Sequence, residues 1–508
     1  MTNDTLRPSA GSVQESHAAS LALLEQMRNQ GGEILTAGLS DAVISKFLGR
    51  DPALTAAIEQ AGEEWERLRR ECPELLSLDE KKQISVIQAD FVNFYPDDAV
   101  NPYVSIGGAG PWIVTTKGAV IHDNGGYGMI GLGHAPTVVL EAMNQPHLMA
   151  NVMTANFSQL RLATALKAEI GRTRGGCPYT GFLCLNSGSE SVSMASRIVD
   201  TNAKLMTDPG ARHEGKSIQR VVLRGSFHGR TDRPAQYSDS TRRTYAQHLA
   251  TFRDGKAPLT VAANDEAELR EAFAQADRDG LFIEAMFIEP VMGEGDPGMS
   301  ITPGFYSLAR ELTSEHGSLL LVDSIQAGLR SHGCLSAVDY PGFSKLPAPD
   351  METFSKALNA GQYPLSVLAV TDSTAALYKK GVYGNTMTTN PRAMDVGYAV
   401  LESLTDQMRR NIVERGEEFL TKFEALREEL GGSITKVQGT GLLFSVELDP
   451  RFKVWGVGSV EEHMRQAGVG VIHGGENSLR FTPHFAVTTE EVDLIVASTK
   501  AALLSCGK

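Results

Sequence analysis

The chain has 508 residues, 42% of them hydrophobic and 21% charged, an ordinary globular composition with length for a large core and more than one domain. A formal net charge of −14 gives it no electrostatic affinity for nucleic acid or an anionic membrane. No apolar run approaches the roughly 20 residues of a membrane helix, the N-terminus lacks a signal peptide's basic-then-apolar order, and five scattered cysteines (Cys72, Cys177, Cys184, Cys334, Cys506) show neither metal spacing nor a disulfide framework, which points to a reducing cytoplasm.

Residues 1–12 read as a frayed end. From Val13 to about Tyr95 the pattern is helical, so 1–95 is expected to form an N-terminal helical extension. SHAASLALLEQMRNQGG reads as an amphipathic helix stopped by Gly31-Gly32. Asp51-Pro52 caps and opens a helix through Arg70, and Leu78–Phe91 reads as another. Three roles suit such an extension: an arm covering a dimer, a wall of a substrate pocket, or a docking piece for a partner. Residues 103–134 then carry several glycines among short β-prone pieces, as turns and close backbone approach require. Tyr127 in this stretch reads either as a substrate-facing residue or as a packed hairpin tyrosine.

Gly181–Asn186 reads as a buried strand that runs into Ser187-Gly188-Ser189-Glu190-Ser191 and a helix. Strand, small-residue turn and helix aim free backbone N–H groups and a positive helix end at an anion. Val221-Val222-Leu223 is a further short strand, followed by Phe227-His228-Gly229-Arg230-Thr231. Phe282–Ile288 is an apolar strand ending at Glu289-Pro290, with Glu294 shortly after.

Leu319–Val322 reads as a buried parallel strand with Asp323 at its carboxyl end, where open α/β sheets bind ligands. A carboxylate there is costly unless a cation or strong donor meets it. Lys356 follows in a Phe-Ser-Lys-Ala-Leu context, apolar but for its serine. Loss of solvation lowers a lysine's pKa and makes its amine a usable nucleophile. Taken singly, these two read as a capping Asp and a surface lysine; together they suggest a cofactor held between them. Beyond Leu401 come a charged helix over Thr405–Leu430, short strands, Leu479-Arg480-Phe481-Thr482-Pro483, and a last amphipathic helix capped by Thr488 or Thr489. An arginine such as Arg480 suits a carboxylate, because its rigid fork makes two charge-assisted bonds.

Six blocks in this order, over about residues 100–503, resemble the class III (ω-type) aminotransferases, which use pyridoxal 5′-phosphate on a fold-type I scaffold; the likeness is to the ornithine and acetylornithine enzymes. Asp323-Ser324-Ile325-Gln326-Ala327-Gly328 matches Asp-Glu-Val-Gln-x-Gly except at Ser324, and Asp350 with Ser355-Lys356-Ala357-Leu358 matches the lysine block. Ser187–Ser191 resembles the phosphate cup, Phe227–Thr231 the aromatic-x-Gly-Arg/Lys-Thr block, and Leu479–Pro483 the Leu-Arg-Phe-x-Pro block. Met292 and Asp296 depart from the Glu-Pro pattern, as Thr388-Thr389 depart from two glycines in Gly-Ser-Thr-Phe-Gly-Gly-Asn-Pro.

The resemblance implies an α/β fold: a large, mainly parallel, seven-stranded sheet with flanking helices over 151–400. A small α+β domain would be built from 96–150 and 401–508. It implies that Lys356 holds the cofactor covalently and moves the proton, while Asp323 keeps the pyridine nitrogen protonated. Gln326 would meet the ring hydroxyl, Ile325 and Phe227 the ring faces, with His228 beside them, and Ser187, Gly188 and Ser189 the phosphate. Thr386 would reach the partner's phosphate, which implies a homodimer with composite sites. Tyr127, Glu294 and Arg480 would face substrate. Arg480 would take the donor's α-carboxylate, with Glu294 either a releasable partner or half of a permanent salt bridge. The implied reaction moves an amino group from an amino-acid donor, glutamate or similar, to an aldehyde or ketone, and the departures hint at a bulky biosynthetic one. An aminomutase, racemase or decarboxylase shares this Lys and Asp, and a silent binding or scaffold protein is the reading from another class.

Overall fold

Short apolar runs spaced along the middle of the chain pair into one sheet because strands covered by helices on both faces must be apolar throughout. The computed structural model describes residues 10–253 and 255–507, with side chains from residue 17 onward, Asp98 excepted. The frayed end expected over 1–12 falls outside the described residues as far as residue 9; residues 10–12 already belong to the helix Ala10–Arg28.

Three strands begin the fold: β1 (Ser105–Ala109), β2 (Trp112–Thr115) and β3 (Val120–Asp123). The large sheet follows with β4 (Gly181–Leu185), β5 (Ser217–Leu223), β6 (Leu259–Val261), β7 (Leu281–Ile288), β8 (Leu319–Asp323), β9 (Met351–Phe354) and β10 (Ser366–Val370). Its order is β4-β10-β9-β8-β7-β5-β6. Only β10 is reversed, being antiparallel to both β4 and β9. The other six therefore point one way, and the loops after β4, β5, β7, β8 and β9 all leave by the same edge. That edge receives Ser187, Phe227, Glu289, Asp323 and Lys356.

β4 is not the buried strand expected: it is an edge strand, and only Leu185 in it is buried. Its outer side chains face a groove of about 640 Å³ instead of a covering helix.

The last strands are β11 (Ile434–Thr440), β12 (Leu443–Leu448), β13 (Val469–Gly470), β14 (Ile472–Gly474) and β15 (Ser478–Phe481). Four form a sheet in the order β11-β12-β15-β14, while β13 joins β3 in parallel, so both chain ends share one small sheet. Buried His122 and His484 each lie within hydrogen-bond reach of one Glu491 oxygen, at 2.9 and 2.8 Å, and fasten the two ends further.

Helices Asp41–Leu48 and Pro52–Glu71 pack on this small sheet, the first through Phe47 against Trp112; the expected helix over Leu78–Phe91 is the shorter Glu80–Gln88, whose buried Gln83 accepts from Thr116 Oγ1 just after β2. Leu54, Ala57, Ile58, Ala61 and Trp65 form the apolar stripe of Pro52–Glu71, and the larger ones contribute about 1.5–3 kcal/mol each. The stripe meets β1 at Gly107, where an added Cβ would lie 2.6 Å from Ala61 N. Asp51 caps the helix by accepting from Ala53 N and also accepts from Trp112 Nε1 at 2.5 Å. Lys117, buried, donates to the carbonyls of Gly31, Leu76 and Leu78. Helices of the expected extension are thus packed into the same apolar core as the small sheet.

Candidate active site

Asp323 ends β8 and is buried. Its Oδ1 accepts from Ile325 N and Thr353 Oγ1, both at 3.1 Å, and its Oδ2 lies 2.8 Å from His228 Nδ1. A carboxylate only accepts when ionised, which assigns the imidazole proton to Nδ1. Three donors offset the desolvation that would otherwise make this acid costly. His228 touches the acid, and its Nε2 has no partner among the described residues.

Lys356 stands two residues beyond β9 with φ 47°, a left-handed conformation that costs a non-glycine residue about 1–2 kcal/mol. Loss of solvation, then Arg480, pushes its amine down to about 8. Its Nζ makes no hydrogen bond or ion pair among the described residues. The amine lies at a cavity of about 720 Å³ whose walls include Tyr127, Phe227, Glu294 and Gln326.

Ser187 caps the helix Gly188–Thr207 by accepting from Glu190 N at 3.2 Å. Gly188 lies against Ile325, whose Cδ1 would be 2.7 Å from an added Cβ. Gly229, at φ 112°, leaves room in the same way for Ser189 Oγ, which makes no hydrogen bond among the described residues. The cup, Ile325 and the Phe227 loop are therefore in mutual contact.

Arg480, on β15, is 1% exposed and pairs with Glu294 at 2.9 Å. It also donates to Gly293 O, and Gln326 Oε1 lies 3.4 Å away. Burial pushes the Glu294 carboxyl up, but Arg480 and then Lys356 more than offset this and hold it below its ordinary value. Tyr127, at φ 52°, lies under the guanidinium, 5.9 Å from ring centroid to Cζ.

Thr386 is not brought to Lys356 in this chain. It lines the groove beside β4 with Thr388 and Thr389. The threonines standing where the resembling pattern has glycines are accommodated: Thr388 Oγ1 donates to Asn385 O at 2.7 Å, and Thr389 takes φ 56°.

Two buried acids escaped the sequence reading. Glu289 Oε2 and Oε1 accept from Phe227 N and Gly293 N, both at 3.0 Å, tying two site loops together. Burial pushes its carboxyl up to about 7. Glu352 on β9 accepts from Ser324 Oγ at 2.6 Å, Tyr179 OH at 2.7 Å, Ala337 N at 2.8 Å and Ser336 Oγ at 2.5 Å. A carboxylate thus stands beside position 324 although the residue there is serine. An acid inside an apolar strand at Glu352, and one just past the end of an apolar strand at Glu289, were the available signals.

The sequence profile of the family described as Aminotransferase class-III matches residues 95–503. The chain belongs to the class-III aminotransferases. Among curated relatives of this aminotransferase, the acetylornithine aminotransferase of Xanthomonas axonopodis pv. citri is 30% identical over 376 residues, covering 72% of this chain and 84% of that one. The ornithine aminotransferase of Staphylococcus epidermidis is 25% identical over 408 residues, covering 79% and 94%. Among solved structures, the ornithine aminotransferase of Toxoplasma gondii superposes with TM-score 0.70 at 22% identity, covering 86% of this chain and 98% of that one, a likeness that shows the fold. A second structure of that protein reveals partial occupancy of PLP at its active site.

Pyridoxal 5′-phosphate is the family's cofactor, and this aminotransferase transfers an amino group from a small-molecule donor to a carbonyl acceptor. Its residues fit that cofactor: an unpartnered amine faces the cavity, a braced carboxylate ends β8, and glycines stand where side chains would strike the cup. No helix among the described residues is long and apolar enough to cross a membrane.

Proposed function

We propose that this aminotransferase works through Lys356 and Asp323, with an α-amino acid such as glutamate as donor and an aldehyde or ketone as acceptor. The observation that carries this reading is the Lys356 amine, free of partners at the cavity and of lowered pKa, on the same sheet edge as the braced Asp323. When bound, the cofactor supplies an electron sink that acidifies the C–H beside the donor nitrogen. Lys356 Nζ, its pKa lowered to about 8 so that a usable share is neutral near that pH, takes and returns the proton at that carbon. Asp323 would hold the ring nitrogen's proton, with His228 orienting the carboxylate. Phe227 and Ile325 would hold the ring faces, Gln326 the ring hydroxyl, and Ser187, Gly188 and Ser189 the phosphate. Arg480 takes the donor's α-carboxylate, Tyr127 packs beside it, and Glu294 covers the guanidinium when a substrate without that group is bound.

A homodimer with composite sites belongs to the same proposal, with Thr386 serving the partner. Support comes from exposed Leu148, Met149, Val152, Met153, Phe157 and Leu160, a segment whose Val152 lines the groove that holds Thr386. The proposed division is 1–95, 96–150, 151–400 and 401–508, the second and fourth segments sharing one small sheet through β3 and β13. Five unbonded cysteines support a cytoplasmic setting.

The test is to add glutamate to the cofactor-loaded protein. Loss of the visible absorbance band with one equivalent of 2-oxoglutarate per site is expected. Carbon dioxide or racemised glutamate in its place would favour a decarboxylase or racemase.

A further inference from the structure

The family match begins at residue 95, yet the cavity wall does not. Asn93, Phe94 and Tyr95, at the end of the helical extension, line the cavity with Lys356. Their rings complete an unbroken run of contacts. The Arg230 guanidinium lies 5.3 Å from the Phe227 ring and 5.9 Å from the Phe94 ring. Phe94 and Tyr95 are 4.3 Å apart, and Tyr95 stacks on Tyr127 at 6.1 Å with 23° between planes. Tyr127 ends the run under Arg480. An arc of rings and guanidinium groups thus spans from Phe227 to Arg480, and its middle comes from the extension.

Phe94 is 73% exposed although it is large and apolar. It stands close in sequence to Phe91 and Val92, themselves 79% and 103% exposed, and contiguous apolar exposure of this kind marks a binding surface. The cavity, about 720 Å³, has room for a ring-bearing substrate. Flat π-systems gain from offset stacking or edge contact beyond the burial that any alkyl group of equal area would provide.

We propose that Phe94 and Tyr95 form an aromatic wall that selects carbonyl acceptors bearing an aromatic ring. This rests on the transamination reading and names the acceptor class for the same cavity. The wall belongs to the extension, so specificity is set by a segment outside the part that matches the family at Phe94 and at its border at Tyr95.

The test compares phenylacetaldehyde with hexanal as acceptors, glutamate being the donor, in the cofactor-loaded full-length enzyme. Phe94→Ala and Tyr95→Leu should each lower the aryl-to-alkyl ratio of kcat/KM about three- to tenfold, through KM for the aryl acceptor. Phe94→Tyr and Tyr95→Phe, which keep a ring, should restore the ratio. Phe94 is too exposed for its loss to unfold the chain, and retention of the visible absorbance band verifies this. A ratio that stays put, a parallel fall for both acceptors, or no use of phenylacetaldehyde by an enzyme that still transaminates would overturn the aromatic wall. Failure of glutamate to discharge the absorbance would instead overturn the transamination reading itself.

Discussion

Arg480 and Glu294 form an unequal pair: the guanidinium is 1% exposed and anchored to Gly293 O, whereas the carboxylate, 2.9 Å away, is 29% exposed and lies at the cavity. The acid has somewhere to go and the arginine does not. In the proposed reading such a pair covers the cation without committing it.

Glu294→Ala should therefore raise the ratio of kcat/KM for glutamate over an amine lacking the α-carboxylate by about tenfold. A buried guanidinium left facing an uncharged group costs about 1–3 kcal/mol. Steady-state kinetics with the two donors measure it, and an unchanged ratio would mean that Arg480 does not meet the donor's α-carboxylate.

Asp323→Asn keeps the shape and removes the charge that, in the proposed reading, would hold the cofactor's ring nitrogen protonated. A fall on the order of 10²–10³ in the single-turnover rate with glutamate is expected. His228→Gln, which acts only through Asp323 Oδ2, should cost less than Asp323→Asn in the same assay.

The Lys356 amine is pushed down to about 8, first by burial and then by Arg480. Uptake of pyridoxal 5′-phosphate by the apoprotein needs the neutral amine. Its rate, followed by visible absorbance, should rise through a midpoint near pH 8 and level off above. A midpoint near an ordinary lysine's value of about 10.4 would contradict the assignment. The folded value lies below the unfolded one, so this group's contribution to apoprotein stability is full above about pH 10.4 and lost as pH falls through 8.

Gly107→Ala places a methyl 2.6 Å from Ala61 N and 2.7 Å from Ala57 O, so the helix Pro52–Glu71 must lift from β1. A loss of about 1–3 kcal/mol in a denaturant titration is expected. An unaltered midpoint would show that the extension is not held there.

Four strands of the sheet were legible as apolar runs with short polar codes beyond their ends, as at Asp323 and Ser187; β6, β9 and β10 were not read from the residues, and the count of seven came from the resemblance. The small sheet's closure was not legible: β13 has two residues, too few for any periodicity to register. The helix Pro52–Glu71 was visible from its Asp51-Pro52 start, but a start signal does not tell what covers a helix, so Gly107 and Trp112 went unseen as its partners. Glu289 and Glu352 were hidden because a buried acid is recognised as part of a site only when its donors are known, and most of those lie in distant segments. The exposed side of β4 was misread for the same reason, since an apolar run looks alike whether a helix or a groove faces it.

The most direct measurement replaces Lys356 by alanine. Supplied with pyridoxal 5′-phosphate, the variant should lack the wild type's visible band, and turnover with glutamate and a carbonyl acceptor should fall to background while the folded state persists. A variant that keeps the band or full turnover would contradict the account, because some other amine would then hold the cofactor.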